Sequence, residues 1–230
     1  MTKTFKVLSA LLSYPTDALQ NAVGELRAAL AEEALLPPEI QAALEQFIAE
    51  IATTDLYELQ ERYVDLFDRS RSLSLYLFEH VHGESRDRGQ AMIDLKSLYE
   101  KHGLLSASNE LPDFLPLFLE FLSVLPLEEA RKLLGQVDHI SSALGERLAK
   151  REAAYEVLFD ALGELAAPAE AAEPLATPEL PDEDPNNLAA IDKAWEDEPV
   201  TFGPESAPSC KDQLIARIRA ARRPVERVAG

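Results

Sequence analysis

From residue 1 to about residue 164, apolar side chains return every third or fourth position in one segment after another. That spacing suits α-helix and little else. Thr16 stands where it can cap a helix whose stripe is Leu19, Val23, Leu26 and Leu30. Pro37-Pro38 interrupts the chain, and Ile40, Leu44, Phe47, Ile48 and Ile51 form the next stripe. Thr54 is the expected cap of a third helix, with Leu56, Leu59, Tyr63, Leu66 and Phe67. Ser85 is the expected cap of another, with Met92, Leu95, Leu98, Tyr99 and His102, closed by Gly103. One long last helix is expected through Ile140, Leu144, Leu148, Tyr155, Leu158, Phe159 and Leu162, its early part starting after Pro126 and breaking near Gly135. No alternating strand pattern of useful length occurs. The expected fold is all-α, a single domain of roughly seven to nine helices. A domain of about 160 residues buries about 70% of its chain surface, so its core needs no metal or disulfide.

Charge and proline divide the remainder. The chain of 230 residues carries 22 basic and 41 acidic side chains, a net charge of −19. Eight of the 15 prolines fall between 165 and 209, a stretch rich in Ala and Glu and almost free of basic residues. Such a composition buries too little apolar surface to offset its ordering entropy. The expected organisation is a helical domain over 1–164, an acidic, Pro-rich, mostly disordered tail over 165–209, and a short basic amphipathic segment over 210–230. The acidic balance argues against nucleic-acid binding, which works by neutralising phosphates, and suits a basic partner. A single cysteine, Cys210, rules out a disulfide framework within one chain. No apolar core with a cleavage site opens the chain, and no run of about 18 apolar residues occurs, so a cytoplasmic protein without stable membrane insertion is expected.

Three segments stand out. The first, from Leu111 to Leu125, is apolar on every side, the mark of a central helix, with Asp113 expected in its first turn and Glu120 interrupting it. The second is Tyr63-Val-Asp-Leu-Phe-Asp68, in which Tyr63, Leu66 and Phe67 follow the apolar stripe and the acids fall off it. In the third, His80 and His82 flank Val81 beside Glu79 and Glu84. These are metal-ligand types, but a His-x-His pair turns both rings to one side only on an extended strand, so no metal site is expected. No glycine-rich phosphate loop, nucleophile elbow or His-Glu-x-x-His motif is present, and no catalytic residue is assigned.

Three stretches resemble one family. They are Tyr63-Val-Asp-Leu-Phe-Asp68, the run from Leu75 through Glu79-His-Val-His-Gly-Glu84 to Gly89, and Glu110-Leu-Pro-Asp-Phe-Leu-Pro-Leu-Phe-Leu-Glu-Phe-Leu122. The chain resembles the NarJ-type assembly chaperones of respiratory nitrate reductase, a branch of the TorD-like family of redox-enzyme maturation proteins. The likeness runs from Leu8 to about 164 and returns in the tail at Ala190 to Gly203. Phe114 stands where many members of the broader family carry histidine, so no role of that histidine is carried over. The resemblance implies an all-helical cytoplasmic protein that is not an enzyme and has no cofactor of its own. It implies a partner, the apo catalytic subunit of nitrate reductase, held by its basic N-terminal leader until molybdenum cofactor and an iron–sulfur cluster are inserted. The proteins of molybdenum cofactor biosynthesis are implied as further partners.

The expected site is a groove bounded by residues 63–68, 75–84 and 113–121. Tyr63, Phe67, Phe114 and Phe121 would supply apolar contact, Asp68, Glu84, Asp113 and Glu120 would meet basic residues of the guest, and His80 and His82 would hydrogen-bond it. Two other readings stand beside this one: a carrier that binds the molybdenum cofactor itself, and a less specific helical peptide-binding scaffold. The basic end of the tail is a further expectation, as an intramolecular plug that folds back on the acidic body and competes with the guest.

Overall fold

The computed structural model describes residues 1–80, 86–104 and 110–168. Nine α-helices occur among them: α1 (Lys3–Leu11), α2 (Asp17–Asn21), α3 (Val23–Glu33), α4 (Pro38–Thr53), α5 (Leu56–Phe67), α6 (Arg86–Lys101), α7 (Leu115–Val124), α8 (Leu127–Lys150) and α9 (Glu156–Leu165). Two 3-10 turns, Arg71–Leu73 and Leu77–Glu79, lie between α5 and α6. The described residues contain no strand beyond a single antiparallel bridge, Tyr76 to Phe114. The acidic tail beyond residue 168, the basic segment 210–230 and the expected plug lie outside the described residues, as do the Ser85 cap, His82 and Glu84.

The apolar run behaves as its composition requires. Leu115, Phe118, Leu119, Phe121 and Leu122 of α7 are buried, and the helix packs on α1 and α8. Pro116 sits in the first turn, where its missing N–H costs nothing. Two polar ties fix α7 to the N-terminus: the Thr2 N–H donates to the Ser123 carbonyl at 2.7 Å, and the Ser9 hydroxyl to the Pro116 carbonyl at 2.7 Å. The helix begins at Leu115, later than the run suggests, because Asp113 and Phe114 are drawn into backbone pairing with the segment around Tyr76.

Capping follows the sequence in places and departs from it in others. Thr16 caps α2 by accepting from the Leu19 N–H at 3.2 Å. The cap of α5 is Asp55, not Thr54; its carboxylate accepts from the Tyr57 N–H at 2.9 Å, while Thr54 closes α4. For α1 the acceptor comes from another helix. Glu33, at the end of α3, takes the Lys3 N–H and the Thr4 N–H, both at 2.7 Å, and the Thr4 hydroxyl at 2.7 Å. Burial pushes the Glu33 carboxyl up, but these donors outweigh it and hold the group below its ordinary value.

The expected long last helix is two helices. α8 runs unbroken through Gly135 and ends at Lys150. Glu152, with φ +51°, turns the chain so that the Ala153 N–H reaches back to the Leu148 carbonyl at 3.0 Å. α9 then lies along α8 and against α4. A break there folds two apolar stripes onto each other, which one straight helix cannot do.

Candidate functional site

An open groove of about 480 Å³ lies where four pieces of chain meet. Ser13 and Tyr14 follow α1; Tyr63, Phe67 and Asp68 come from the end of α5; Leu75 and Tyr76 form one side of the extended bridge; Phe114 forms the other, with Glu110 four residues before it. The bridge is stitched by the Leu77 N–H to the Asp113 carbonyl at 3.0 Å and the Leu115 N–H to the Leu75 carbonyl at 2.8 Å.

Aromatic rings make the floor and walls. Tyr63 and Phe67 are buried beneath, with ring centroids 5.0 Å apart. Tyr63 spends its hydroxyl on the Leu12 carbonyl at 3.0 Å, so its ring faces the groove and its polar end is satisfied behind it. Tyr14 stands edge-on to Tyr63 at 5.5 Å with 47% of its surface exposed, an unusual exposure for so large a ring. Tyr76 and Phe114 pair at 5.2 Å on the facing wall. The floor continues into the interior, because Tyr155 packs on Phe67 at 5.1 Å and on Phe47 at 5.0 Å.

The ionisable groups of the groove are Asp68, Glu110 and the tyrosines, with no basic side chain among its lining residues. The Tyr76 hydroxyl donates to a Glu110 oxygen at 2.7 Å. Burial and then this bonded carboxylate raise the Tyr76 hydroxyl well above its ordinary value. Burial and then the charge of Glu110 push the Asp68 carboxyl up. Asp68 is also the C-cap of α5, the negative end of the helix dipole.

Of the ten residues expected at the site, the structure gathers Tyr63, Phe67, Asp68 and Phe114 into this groove. Phe121 is fully buried against Tyr99 and His102, with centroids 4.7 and 5.5 Å away, and does not reach it. Glu120 pairs with Lys6 of α1 at 3.8 Å instead. Asp113 is buried, outside the first turn of α7. It accepts the Phe78 N–H at 3.1 Å, fastening the 3-10 turn Leu77–Glu79 to the chain before α7. Burial pushes its carboxyl up to about 6, against the opposing pull of the Phe78 amide and Arg88. His80 is buried as well, its Nε2 2.6 Å from the Ser74 carbonyl. Burial disfavours its charged form, the Ser74 bond opposing. Both side chains build the wall from behind.

Sequence reasoning missed Ser13, Tyr14 and Glu110 as groove residues; it placed 75–84 on the groove's border without singling out Leu75 or Tyr76. Their signal was present in part: Tyr14-Pro15 follows an amphipathic helix directly, and Tyr76 and Glu110 lie inside stretches singled out for their resemblance. Pairing of 75–76 with 114 across more than 30 residues has no local signature. Among the described residues no group of three or more His, Cys, Asp or Glu side chains is placed to hold a metal ion, and no helix is long and apolar enough to cross a membrane.

The family model described as nitrate reductase delta subunit matches residues 16–159. The chain is 44% identical over 209 residues to the nitrate reductase molybdenum cofactor assembly chaperone NarJ of Escherichia coli (strain K12), covering 91% of this chain and 88% of the relative. It is 40% identical over 205 residues to the probable assembly chaperone NarW of the same organism, covering 89% and 86%. It is 33% identical over 159 residues to the probable assembly chaperone NarJ of Bacillus subtilis (strain 168), covering 69% and 85%.

Proposed function

The chain belongs to the nitrate reductase delta subunit family, and from that membership we propose that it is an assembly chaperone for a molybdenum-dependent nitrate reductase. It acts in the cytoplasm without catalysing a reaction. It holds the apo catalytic subunit by that subunit's basic, amphipathic N-terminal leader while molybdenum cofactor and an iron–sulfur cluster are inserted, and then lets go. Proteins of cofactor biosynthesis are its further partners.

The groove is the observation that carries this reading. It is open, walled by Tyr14, Tyr76 and Phe114, floored by Tyr63 and Phe67, and lined by the carboxylates of Asp68 and Glu110 with no basic side chain. Helical leaders dock by laying apolar side chains into such a channel while their basic side chains meet acids at its edge. The magnitudes fit. Two or three buried Leu or Phe side chains contribute roughly 1.5–3 kcal/mol each. Association and ordering remove several kcal/mol of that. A micromolar complex needs about −8 kcal/mol, so apolar burial alone falls short and charge pairing supplies the rest.

Isothermal titration of the full chain with a synthetic peptide of the leader is the direct test. Saturable one-to-one binding in the micromolar range or tighter, weakened by Phe114→Ala, is expected. A leader peptide that gives no saturable heat, with a chain that melts cooperatively, overturns the reading.

A further inference from the structure

We propose that the groove contains a subsite for one arginine side chain of the guest, formed by the carboxylates of Asp68 and Glu110 between the rings of Tyr14, Tyr76 and Phe114. The proposal rests on the reading of this groove as the leader site and names the side chain that fixes its register.

Asp68 occupies a place that local physics disfavours. It caps the C-terminal end of α5, where the helix dipole repels negative charge. It stands exposed at the rim of the groove, and both its partial burial and the charge of Glu110 raise its carboxyl. Its neighbours in and just after α5 are engaged elsewhere: Arg69 pairs with Asp65 at 3.0 Å, and Arg62 pairs with Glu50 and Glu58. Among the described residues neither Asp68 nor Glu110 has an ion pair. A local rule broken without an internal remedy is what a binding site looks like before its ligand arrives.

The cavity selects the cation. Glu110 is already oriented by the Tyr76 hydroxyl at 2.7 Å, leaving its other oxygen for a guest. The Tyr76–Phe114 pair and the exposed Tyr14 present ring faces and edges beside the acids. A guanidinium uses both features at once, donating in its plane to carboxylates and stacking on a ring by its face. An ammonium is a compact, strongly hydrated point charge that gains the charge pairing and not the stacking. At about 480 Å³ the groove has room for such a side chain together with one or two apolar neighbours.

The test replaces each arginine of the leader peptide in turn by citrulline, which keeps the shape and removes the charge. Each peptide is titrated against the full chain and against Glu110→Gln and Asp68→Asn. One citrulline position should weaken binding about tenfold to the wild type, and replacing that arginine by lysine should recover only part of it. The same citrulline should have almost no further effect on either variant. Asp68→Asn should bind more weakly although it melts no lower than the wild type, an opposition a merely structural role does not produce. If the leader binds and no arginine position is sensitive, the subsite fails while the leader reading stands. If the leader does not bind at all, both fail.

Discussion

Gly135 of α8 lies directly beneath Ala167: a Cβ built on the glycine would stand 2.2 Å from the Ala167 carbonyl oxygen. The Ala167 N–H in turn bonds the Arg131 carbonyl at 3.0 Å, so the chain leaving α9 is laid flat along α8. The glycine therefore serves close approach between two backbones, not the helix break its helix-poor character suggests.

Gly135→Ala should destabilise the domain or lift the exit segment away, because the clash is with backbone that cannot rotate aside. A loss of about 1–3 kcal/mol is expected in urea unfolding, with faster proteolysis after Leu165. Gly163 in α9 has open space around it, so Gly163→Ala should instead gain roughly 0.5–1 kcal/mol. Opposite signs for one chemical change in two helices are the expected outcome.

Asp113 predicts an inverted pH dependence. Its carboxyl is raised to about 6, so between roughly pH 4 and pH 6 the folded state holds a proton that the unfolded state has released. The stabilisation this gives is complete below the unfolded value and is lost as pH rises through 6. Asp113→Asn keeps an acceptor for the Phe78 N–H and removes the charge. It should be more stable than the wild type at pH 8, by at most on the order of 3 kcal/mol. That advantage should vanish by about pH 4 in urea midpoints. Asp113→Ala leaves the Phe78 amide without its acceptor and should cost about 1–3 kcal/mol even at pH 4.

Glu33 predicts the ordinary sign. Its lowered carboxyl contributes stability above the unfolded value near 4.5 that disappears as pH falls through the folded value. Glu33→Ala should cost about 0.5–2 kcal/mol at neutral pH, and hydrogen exchange at the Lys3 and Thr4 amides should quicken first.

Glu120 discriminates between two maps of the binding face. It pairs with Lys6 and lines no part of the groove. Glu120→Gln should change leader affinity by less than about twofold, as surface pairs of this kind contribute little. Glu110→Gln should weaken it about tenfold. Equal losses for the two variants would place the guest elsewhere.

The helical class was legible because periodicity is a local property: Leu44, Phe47, Ile48 and Ile51 are buried on one face of α4 as their spacing requires. So was the central place of α7, which has no polar side to show to water. The groove was half legible. Tyr63, Phe67 and Asp68 lie in a run of six residues, and one helix end brings them together. Spacing could not separate Phe114, whose ring pairs with Tyr76, from Phe121, whose ring is sealed under Tyr99. The two differ by a register that only the bridge to Tyr76 determines. Asp113 misled for a related reason: an acid before an apolar run usually serves its own helix, and this one serves a turn 35 residues earlier.

The ring stack beneath the groove ties recognition to foundation. Tyr63 lines the groove on one side and, through Phe67 and Tyr155, touches the junction of α4, α5 and α9 on the other. On the proposed reading, retuning of client choice would be confined to the rim, at Tyr14, Asp68, Tyr76 and Glu110. Any attempt to recarve the base would loosen the scaffold before it altered the choice of guest.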